Sequence, residues 1–183
     1  MTERTLRDRV MLMLAKARAR LFDDTGGFQR VQIEVLKGEV RDDAVRLQEY
    51  GFSSHPFPGA TALVAFLSGN RSHPVIVALD DAARRKKGLQ QGEVIIYDDL
   101  GQEVHLTRDG IFVRGAGKPV TITNAEKVRM ETPLLEVTGE IRDLCDTGSG
   151  QTMSGMRSVY NGHTHPENNI GSTNVPNQKM SGT

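Results

Sequence analysis

Two histidines near the C-terminus have the side-chain type and spacing that point most directly to chemistry. They lie in the segment Tyr160-Asn161-Gly162-His163-Thr164-His165-Pro166. Side chains of an extended segment alternate between faces, so His163 and His165 point to one side. Protein metal sites need three or four ligands, and no nearby Cys, Asp or third His completes this pair. Three copies around a threefold axis would supply six imidazoles, which suits an octahedral first-row metal better than tetrahedral zinc.

A metalloenzyme is a second hypothesis for the same histidines, with Glu167 as an added carboxylate. The sequence offers little else for catalysis, because no nucleophile is paired with a base and Cys145 has no histidine near it in the chain. The pattern therefore favours a structural protein over an enzyme.

The overall composition excludes several classes of protein. The 183 residues suffice for one or two domains, and 23 basic residues balance 23 acidic ones. A neutral chain has no net field to attract nucleic acid or an anionic membrane. One cysteine excludes a disulfide framework. Since the N-terminus lacks a signal-peptide pattern and no apolar run approaches the roughly 20 residues of a membrane span, we expect a soluble chain made in the cytoplasm.

The N-terminal residues favour a helix. Apolar residues at spacings of three and four predict a helix over residues 3–21, within a helical arm comprising residues 1–25. The other face is basic. A basic amphipathic helix can lie on a membrane, but packing against a neighbouring subunit or protein is the favoured interpretation.

The next segment, residues 26–92, predicts a small antiparallel barrel and a linker. Apolar runs over 28–36, 44–50, 61–67 and 74–79, separated by Gly-rich turns, favour a barrel of the oligonucleotide/oligosaccharide-binding (OB) type. His55 and His73 each precede a proline and are interpreted as loop residues. The basic run Arg84–Lys87 lies in the stretch 80–92, which we expect to be a solvated connector rather than a phosphate-binding site.

Residues 93–147 contain a different pattern. Seven short β-rich pieces begin 6 to 10 residues apart, with turn residues between them. Strands this short cannot bury an apolar face alone, so they predict three chains wound into an intertwined β-helix with aliphatic residues inside. His105 is expected to face outward. The pieces begin, in order, at Val94, Val104, Ile111, Val120, Val128, Leu135 and Ile141.

The last segment, residues 148–183, is the predicted apex. Residues 148–156 are small, polar and expected to be flexible. The stretch 166–183 has a disordered composition, and the alternative is that it wraps the tip of a trimer. Its few apolar anchors would then be Ile170, Val175 and Met180.

This order of segments resembles the central spike, or baseplate assembly protein V, of Mu-like and P2-like contractile-tailed phages. The resemblance covers nearly the whole chain and depends most on the late Gly162-His163-Thr164-His165-Pro166 motif. It implies a homotrimer in the virion, at the tip of the tail baseplate, that contacts hub and tail-tube proteins. On tail contraction such a spike punctures the host outer membrane, without nucleic acid, small-molecule substrate or enzymatic activity.

The same resemblance implies the metal. One iron ion per trimer would be held by six histidine ligands, His163 and His165 from each of three chains. A trimeric receptor- or glycan-binding tail protein is the main alternative. Such binders usually expose aromatic residues, and residues 93–183 contain only Tyr97, Phe112 and Tyr160. A domesticated contractile device built from the same parts would give the same sequence pattern.

Overall fold

A five-stranded closed barrel forms the first part of the chain. The computed structural model describes residue 7, residues 10–168 and residues 171–180. The strands follow the order β1-β2-β3-β5-β4 around the barrel, and neighbours are antiparallel except for the parallel pair β3 and β5. The small barrel expected from the sequence is thereby confirmed. Its strands are β1 (Leu14–Asp23), β2 (Gln29–Leu36), β3 (Glu39–Arg46), β4 (Thr61–Phe66) and β5 (Pro74–Asp80).

The helix expected over residues 3–21 is wrong for its second half. Residues Leu14–Asp23 are strand β1, which pairs with both β2 and β4, so the barrel begins inside the expected helical arm. Arg7, Val10 and Met11 are helical, whereas residues 3–6, 8 and 9 lie outside the described residues. The reason is visible in the sequence Leu14–Arg20, where alanine alternates with longer side chains. The alanines of β1 face the barrel interior, which has room only for small residues there.

The barrel core is small and closely filled. Phe66, Ile33, Ile76, Val31 and Val64 are its largest fully buried side chains, and alanines fill the remainder. The buried polar residue Gln29 is fully paired, which removes the cost of burying an amide. Its side chain donates to Asp24 Oδ1 and to the Ser54 carbonyl, and its Oε1 accepts from Arg46.

A separate three-stranded antiparallel sheet follows the barrel. It comprises β6 (Val94–Tyr97), β7 (Glu103–Leu106) and β8 (Ile111–Arg114) in sequence order. These strands were expected to pair within an intertwined β-helix, yet they pair with one another in a single chain. Two short hairpins explain this, because the turns between the strands are compact enough for neighbouring strands to pair directly. The structure does not show the β-helix expected over residues 93–147: the three strands in this range form this sheet instead.

The linker between barrel and sheet is docked rather than solvated. Arg84 forms an ion pair with Asp81 and lies over the Phe57 ring, 3.9 Å from its centroid. Lys86 forms a 2.9 Å ion pair with Glu103 of β7, and Arg114 of β8 binds the other oxygen of the same carboxylate. Hydrogen bonds from Lys86 and then from Arg114 hold the pKa of Glu103 below its ordinary value of 4.5.

From Gly115 to Gln151 the chain has no strand and no helix, and nearly every residue is exposed. Aliphatic residues there are exposed in pairs two residues apart, at 120 and 122, 128 and 130, and 135 and 137. Ala116 and Asn124, eight residues apart, both have positive φ, at 51° and 54°. These two residues are separated by the same eight positions as the apolar pairs at 120 and 122 and at 128 and 130.

The chain divides into two units, Met1–Thr121 and Ile122–Thr183. The second unit contains helix α1 (Met153–Gly162) and two short paired strands, β9 (Pro166–Glu167) and β10 (Gly171–Ser172). The flexible segment expected over 148–156 was therefore wrong from Met153 onward. Thr152 begins the helix by accepting a hydrogen bond from the Gly155 amide. In the described part of the chain, no helix is long and apolar enough to cross a membrane.

Candidate metal centre at the C-terminal histidines

Helix α1 places the first histidine of the pair. The helix ends at Gly162, and His163 is its C-cap, with an extended backbone at φ −69° and ψ 148°. The His163 amide still donates to the Val159 carbonyl, which ties the start of the extended segment to the last helical turn. In the extended segment that follows, the alternation of faces predicts that the side chains of His163 and His165 lie on one side and that of Thr164 on the other.

The structure brings the two imidazole rings together. The centroids of His163 and His165 lie 5.1 Å apart with the rings perpendicular, and the Tyr160 ring lies 5.5 Å from His163 on another side. His163 is half-buried, whereas His165 is exposed. Two rings at this distance can present one nitrogen each to a common point outside the chain.

A hydrogen bond fixes which nitrogen of His163 is free. Its Nδ1 lies 2.6 Å from the carbonyl oxygen of Tyr160. A carbonyl can only accept, so Nδ1 must carry the proton and the neutral ring keeps its lone pair on Nε2. Metal-binding histidines usually make such a bond with their other nitrogen, because it sets the tautomer and the ring orientation.

The second histidine is held through its backbone. The His165 amide donates to Thr173 Oγ1 at 2.8 Å, and the Thr173 amide donates to the His165 carbonyl, also at 2.8 Å. The short strands β9 and β10 continue this pairing with Gly171 opposite Glu167 and Ser172 opposite Pro166. The segment after the histidines therefore folds back against them, which the composition of residues 166–183 did not reveal.

One chain supplies only part of a metal site. Among the residues that the structure describes, no group of three His, Cys, Asp or Glu side chains is placed to hold an ion. The two imidazoles of this turn could supply two of the ligands that an ion requires. Imidazoles alone, without a carboxylate among them, are ligands suited to a late first-row metal such as iron, nickel, copper or zinc.

The other histidines have separate surroundings. The centroids of the His55 and Phe22 rings lie 5.7 Å apart, and His73 Nδ1 lies 3.0 Å from the side-chain nitrogen Nδ2 of Asn70. His105 does not face solvent as expected: its side chain is 17% exposed, and its Nε2 lies 3.6 Å from Glu93 Oε2. Its cross-strand neighbours Ile95 and Phe112 lie on the same face of the sheet.

The sheet has a second feature, here called the aliphatic face. Residues directly opposite one another in antiparallel strands share a face, and two such rows cross all three strands. All six of their side chains are aliphatic and are 36% to 71% exposed. Monomeric proteins rarely leave a continuous apolar patch uncovered, so this face indicates a protein partner. Its members are Val94, Leu106 and Ile111 in one row and Ile96, Val104 and Val113 in the other.

Comparison with known proteins gives the family. Residues 17–83 match the family described as the N-terminal part of bacteriophage Mu Gp45. A protein of Escherichia phage Mu named "Baseplate puncturing device gp45" is 35% identical over 133 residues, which are 73% of this chain and 67% of that protein. The chain belongs to the Mu gp45 family.

A second gp45 relative extends the likeness along the chain. A Haemophilus influenzae protein named "Mu-like prophage FluMu protein gp45" is 29% identical over 160 residues, which are 84% of this chain and 87% of that protein. The family match begins at Ala17, inside β1, and ends at Ala83, just after β5. The gp45 N-terminal region thus coincides with the barrel, which supports counting β1 as a barrel strand. The resemblance to Mu-like spikes inferred from the sequence is confirmed.

Proposed function

We propose that this chain is the membrane-piercing central spike of a contractile phage-tail baseplate and acts as a homotrimer. Its gp45 family membership supports a baseplate role, since the relative in phage Mu is named a baseplate puncturing device. The spike would reside in the virion at the tip of the tail and contact hub and tail-tube proteins. It would cross the host outer membrane once, on contraction, and catalyse no reaction.

The observation that carries this proposal is the exposure of apolar residues in an ordered pattern. The aliphatic face lies bare in a single chain, and the exposed pairs at 120 and 122, 128 and 130, and 135 and 137 follow it at a similar spacing. Burying a Val, Leu or Ile side chain stabilises a structure by about 1.5–3 kcal/mol. A chain that leaves so many of them exposed needs a partner with the same periodic pattern. Two further copies of this chain supply it, because equal coils can then stack around a common axis.

A threefold arrangement also provides an interior for the apolar pairs. Three chains that each contribute one short segment per turn would close a prism whose interior takes the aliphatic residues. Closure removes the free strand edges that would otherwise promote aggregation. A closed prism with a filled core resists bending, which a needle pushed through a membrane must do.

The same arrangement completes the candidate metal centre. Around a threefold axis, His163 and His165 of three chains would supply six imidazoles to one ion, for which the family resemblance implies iron. The ion would link the three chains where little apolar surface is available to hold them together. With all its coordination positions filled by protein, it would have no open position for a substrate.

Oligomeric state and metal content test the proposal together. Sedimentation of the purified chain should give a trimer, and elemental analysis should give one ion per three chains. The double variant His163→Ala, His165→Ala should lose the ion and remain trimeric. The matched control is His55→Ala with His73→Ala, which removes two histidines outside the site and should keep the ion. A folded monomer, or an ion retained by the first double variant, would contradict the proposal.

Piercing itself can be tested in contractile particles assembled with this chain. Particles with either double variant should contract equally, because His163 and His165 lie outside the barrel and His55 and His73 lie in its loops rather than in its strands. Only those lacking His163 and His165 should release less of a periplasmic reporter from intact cells. Equal release by both kinds of particle would show that piercing does not depend on the metal. A receptor- or glycan-binding role predicts a different result, namely that isolated trimers bind cells before contraction.

A further inference from the structure

The segment after the histidine turn makes specific contacts with it through two side chains that no sequence motif singles out. This segment, residues 171–180, is here called the C-terminal strap. One contact is at Asn161, in the last turn of α1, and the other is at Thr173, at the start of the strap. Asn161 lies two residues before His163, and Thr173 binds the backbone of His165.

Asn161 binds the far end of the strap by a two-sided hydrogen bond. Its Oδ1 accepts from the Met180 amide at 2.8 Å, and its Nδ2 donates to the Met180 carbonyl at 3.0 Å. The backbone supplies one donor and one acceptor here, so only one orientation of the side-chain amide satisfies both. Lys179 adds a third bond, because its Nζ donates to the Asn161 carbonyl at 2.5 Å. A side-chain amide is well suited to this contact, since it reproduces the pairing of a β-strand.

Thr173 binds the near end of the strap to the second histidine. Its hydroxyl accepts from the His165 amide, while its own amide donates to the His165 carbonyl. Both backbone groups of His165 are therefore satisfied by one residue. With Asn161 and Thr173 both in place, the strap is fixed at both ends of the turn that carries the ring pair.

We infer that Asn161 and Thr173 are positioning residues that close the strap over the histidine turn and set the ring pair before an ion binds. This rests on the proposed function, in which His163 and His165 bind a metal. A flexible turn would lose conformational entropy on binding an ion, whereas a strapped turn has already lost it. Ion binding and strap closure should then favour each other, since both select the same conformation.

Trypsin reports closure at Asn161 without any metal. Trypsin must bind the Lys179 side chain in order to cleave after it, so the hydrogen bond from Lys179 Nζ to the Asn161 carbonyl must first break. In the metal-free full-length protein, Asn161→Ala should speed the loss of residues 180–183 by about tenfold or more, since it removes two hydrogen bonds of the closed form. Intact mass measures the loss. The matched control is Asn174→Ala, which alters an exposed strap asparagine with no side-chain hydrogen bond seen among the described residues and should leave the rate unchanged.

Hydrogen exchange reports closure at Thr173. Thr173→Val keeps the side-chain shape but removes the acceptor for the His165 amide, so this amide should exchange about fivefold faster or more. Thr173→Ser keeps the hydroxyl and should restore the slow rate. Circular dichroism and sedimentation would reveal whether Asn161→Ala disturbs the end of α1. If it does, the comparison of Thr173→Val with Thr173→Ser still tests closure.

Metal affinity tests positioning separately from closure. In anaerobic titrations with ferrous iron, Asn161→Ala and Thr173→Val should each weaken binding by about tenfold, the usual effect of losing a group that orients a ligand. The stoichiometry should stay at one ion per three chains. Iron should also slow cleavage after Lys179 in the unaltered protein.

The outcomes divide clearly. Unchanged cleavage and exchange in the variants would overturn the inference, whatever the metal does. Faster cleavage and exchange with unchanged iron affinity would overturn the positioning role. An unaltered protein that binds no iron would refute the proposed metal site, and closure would still be decided by the two metal-free measurements.

Discussion

The exposed pair Val120 and Ile122 provides the sharpest test of intertwining. Ile122 is 67% exposed in one chain, and Thr123 beside it is also exposed. In an extended segment such neighbouring side chains face opposite sides. If three chains bury Ile122, then Ile122→Ala should cost about 2–5 kcal/mol per chain. If Ile122 stays in solvent, the cost should lie within about 0.5 kcal/mol.

The lower bound already gives a large effect. Three chains that each lose about 2 kcal/mol lose about 6 kcal/mol per trimer, or roughly four powers of ten in the trimer dissociation constant. The concentration at half-dissociation varies as the square root of that constant. It should therefore rise by about a hundredfold for Ile122→Ala.

Analytical ultracentrifugation can measure this shift at a urea concentration chosen so that the unaltered trimer is half dissociated. Thr123→Ala is the matched control and should leave the midpoint nearly unchanged, because its side chain points out of the prism. Equal midpoints for the two variants would refute the reasoning, since the two faces of the segment would then be equivalent. So would an unaltered chain that sediments as a folded monomer without urea.

Three further predictions concern the first unit and its boundary. The lowered pKa of Glu103 stabilises the fold above the ordinary glutamate value of 4.5, and this stabilisation is lost as pH falls through the lower folded value. The melting-temperature gap between the unaltered protein and Glu103→Gln should therefore shrink from pH 7 to pH 3. A constant gap would mean that the ion pairs do not contribute. Phe66→Ala should lower the free energy of unfolding of the barrel by about 3–5 kcal/mol, measured by urea denaturation, while Phe52→Ala, at an exposed position, should change it by less than about 0.5 kcal/mol. Ala116→Gly should raise the melting temperature slightly, because relieving φ at 51° gains about 1–2 kcal/mol and the flexibility of glycine cancels part of it; a lower melting temperature would contradict this.

Much of the fold follows from local sequence patterns. The alternation of apolar and polar residues located β2, and short apolar runs between turn residues located β4, β5 and the three strands of the later sheet. Backbone pairing in these segments agrees with side-chain alternation, so local and tertiary preferences coincide. The spacing of His163 and His165 likewise predicts that both rings lie on one side, and the structure places them 5.1 Å apart.

Where local preferences conflict with the fold, the sequence was misleading. Residues 14–20 contain alanine at alternate positions, and alanine favours helices, so spacings of three and four could be found among the same residues. The barrel decides between the two, because β1 pairs with β2 on one side and with β4 on the other. Helix α1 was missed for the opposite reason: its glycines and serines have poor helix propensity, and the cap at Thr152 and the contacts of the second unit stabilise it.

The sequence alone determined the types of residue available: a pair of imidazoles, a barrel of alternating strands and a series of apolar pairs. The tertiary structure decided what each contacts, because contacts between residues distant in the chain depend on how segments fold back on one another. It showed that Glu103 binds Lys86 and Arg114, that His105 lies close to Glu93, and that the strap returns to Asn161. No periodicity encodes such contacts, since each joins single side chains across a separation that no local pattern spans.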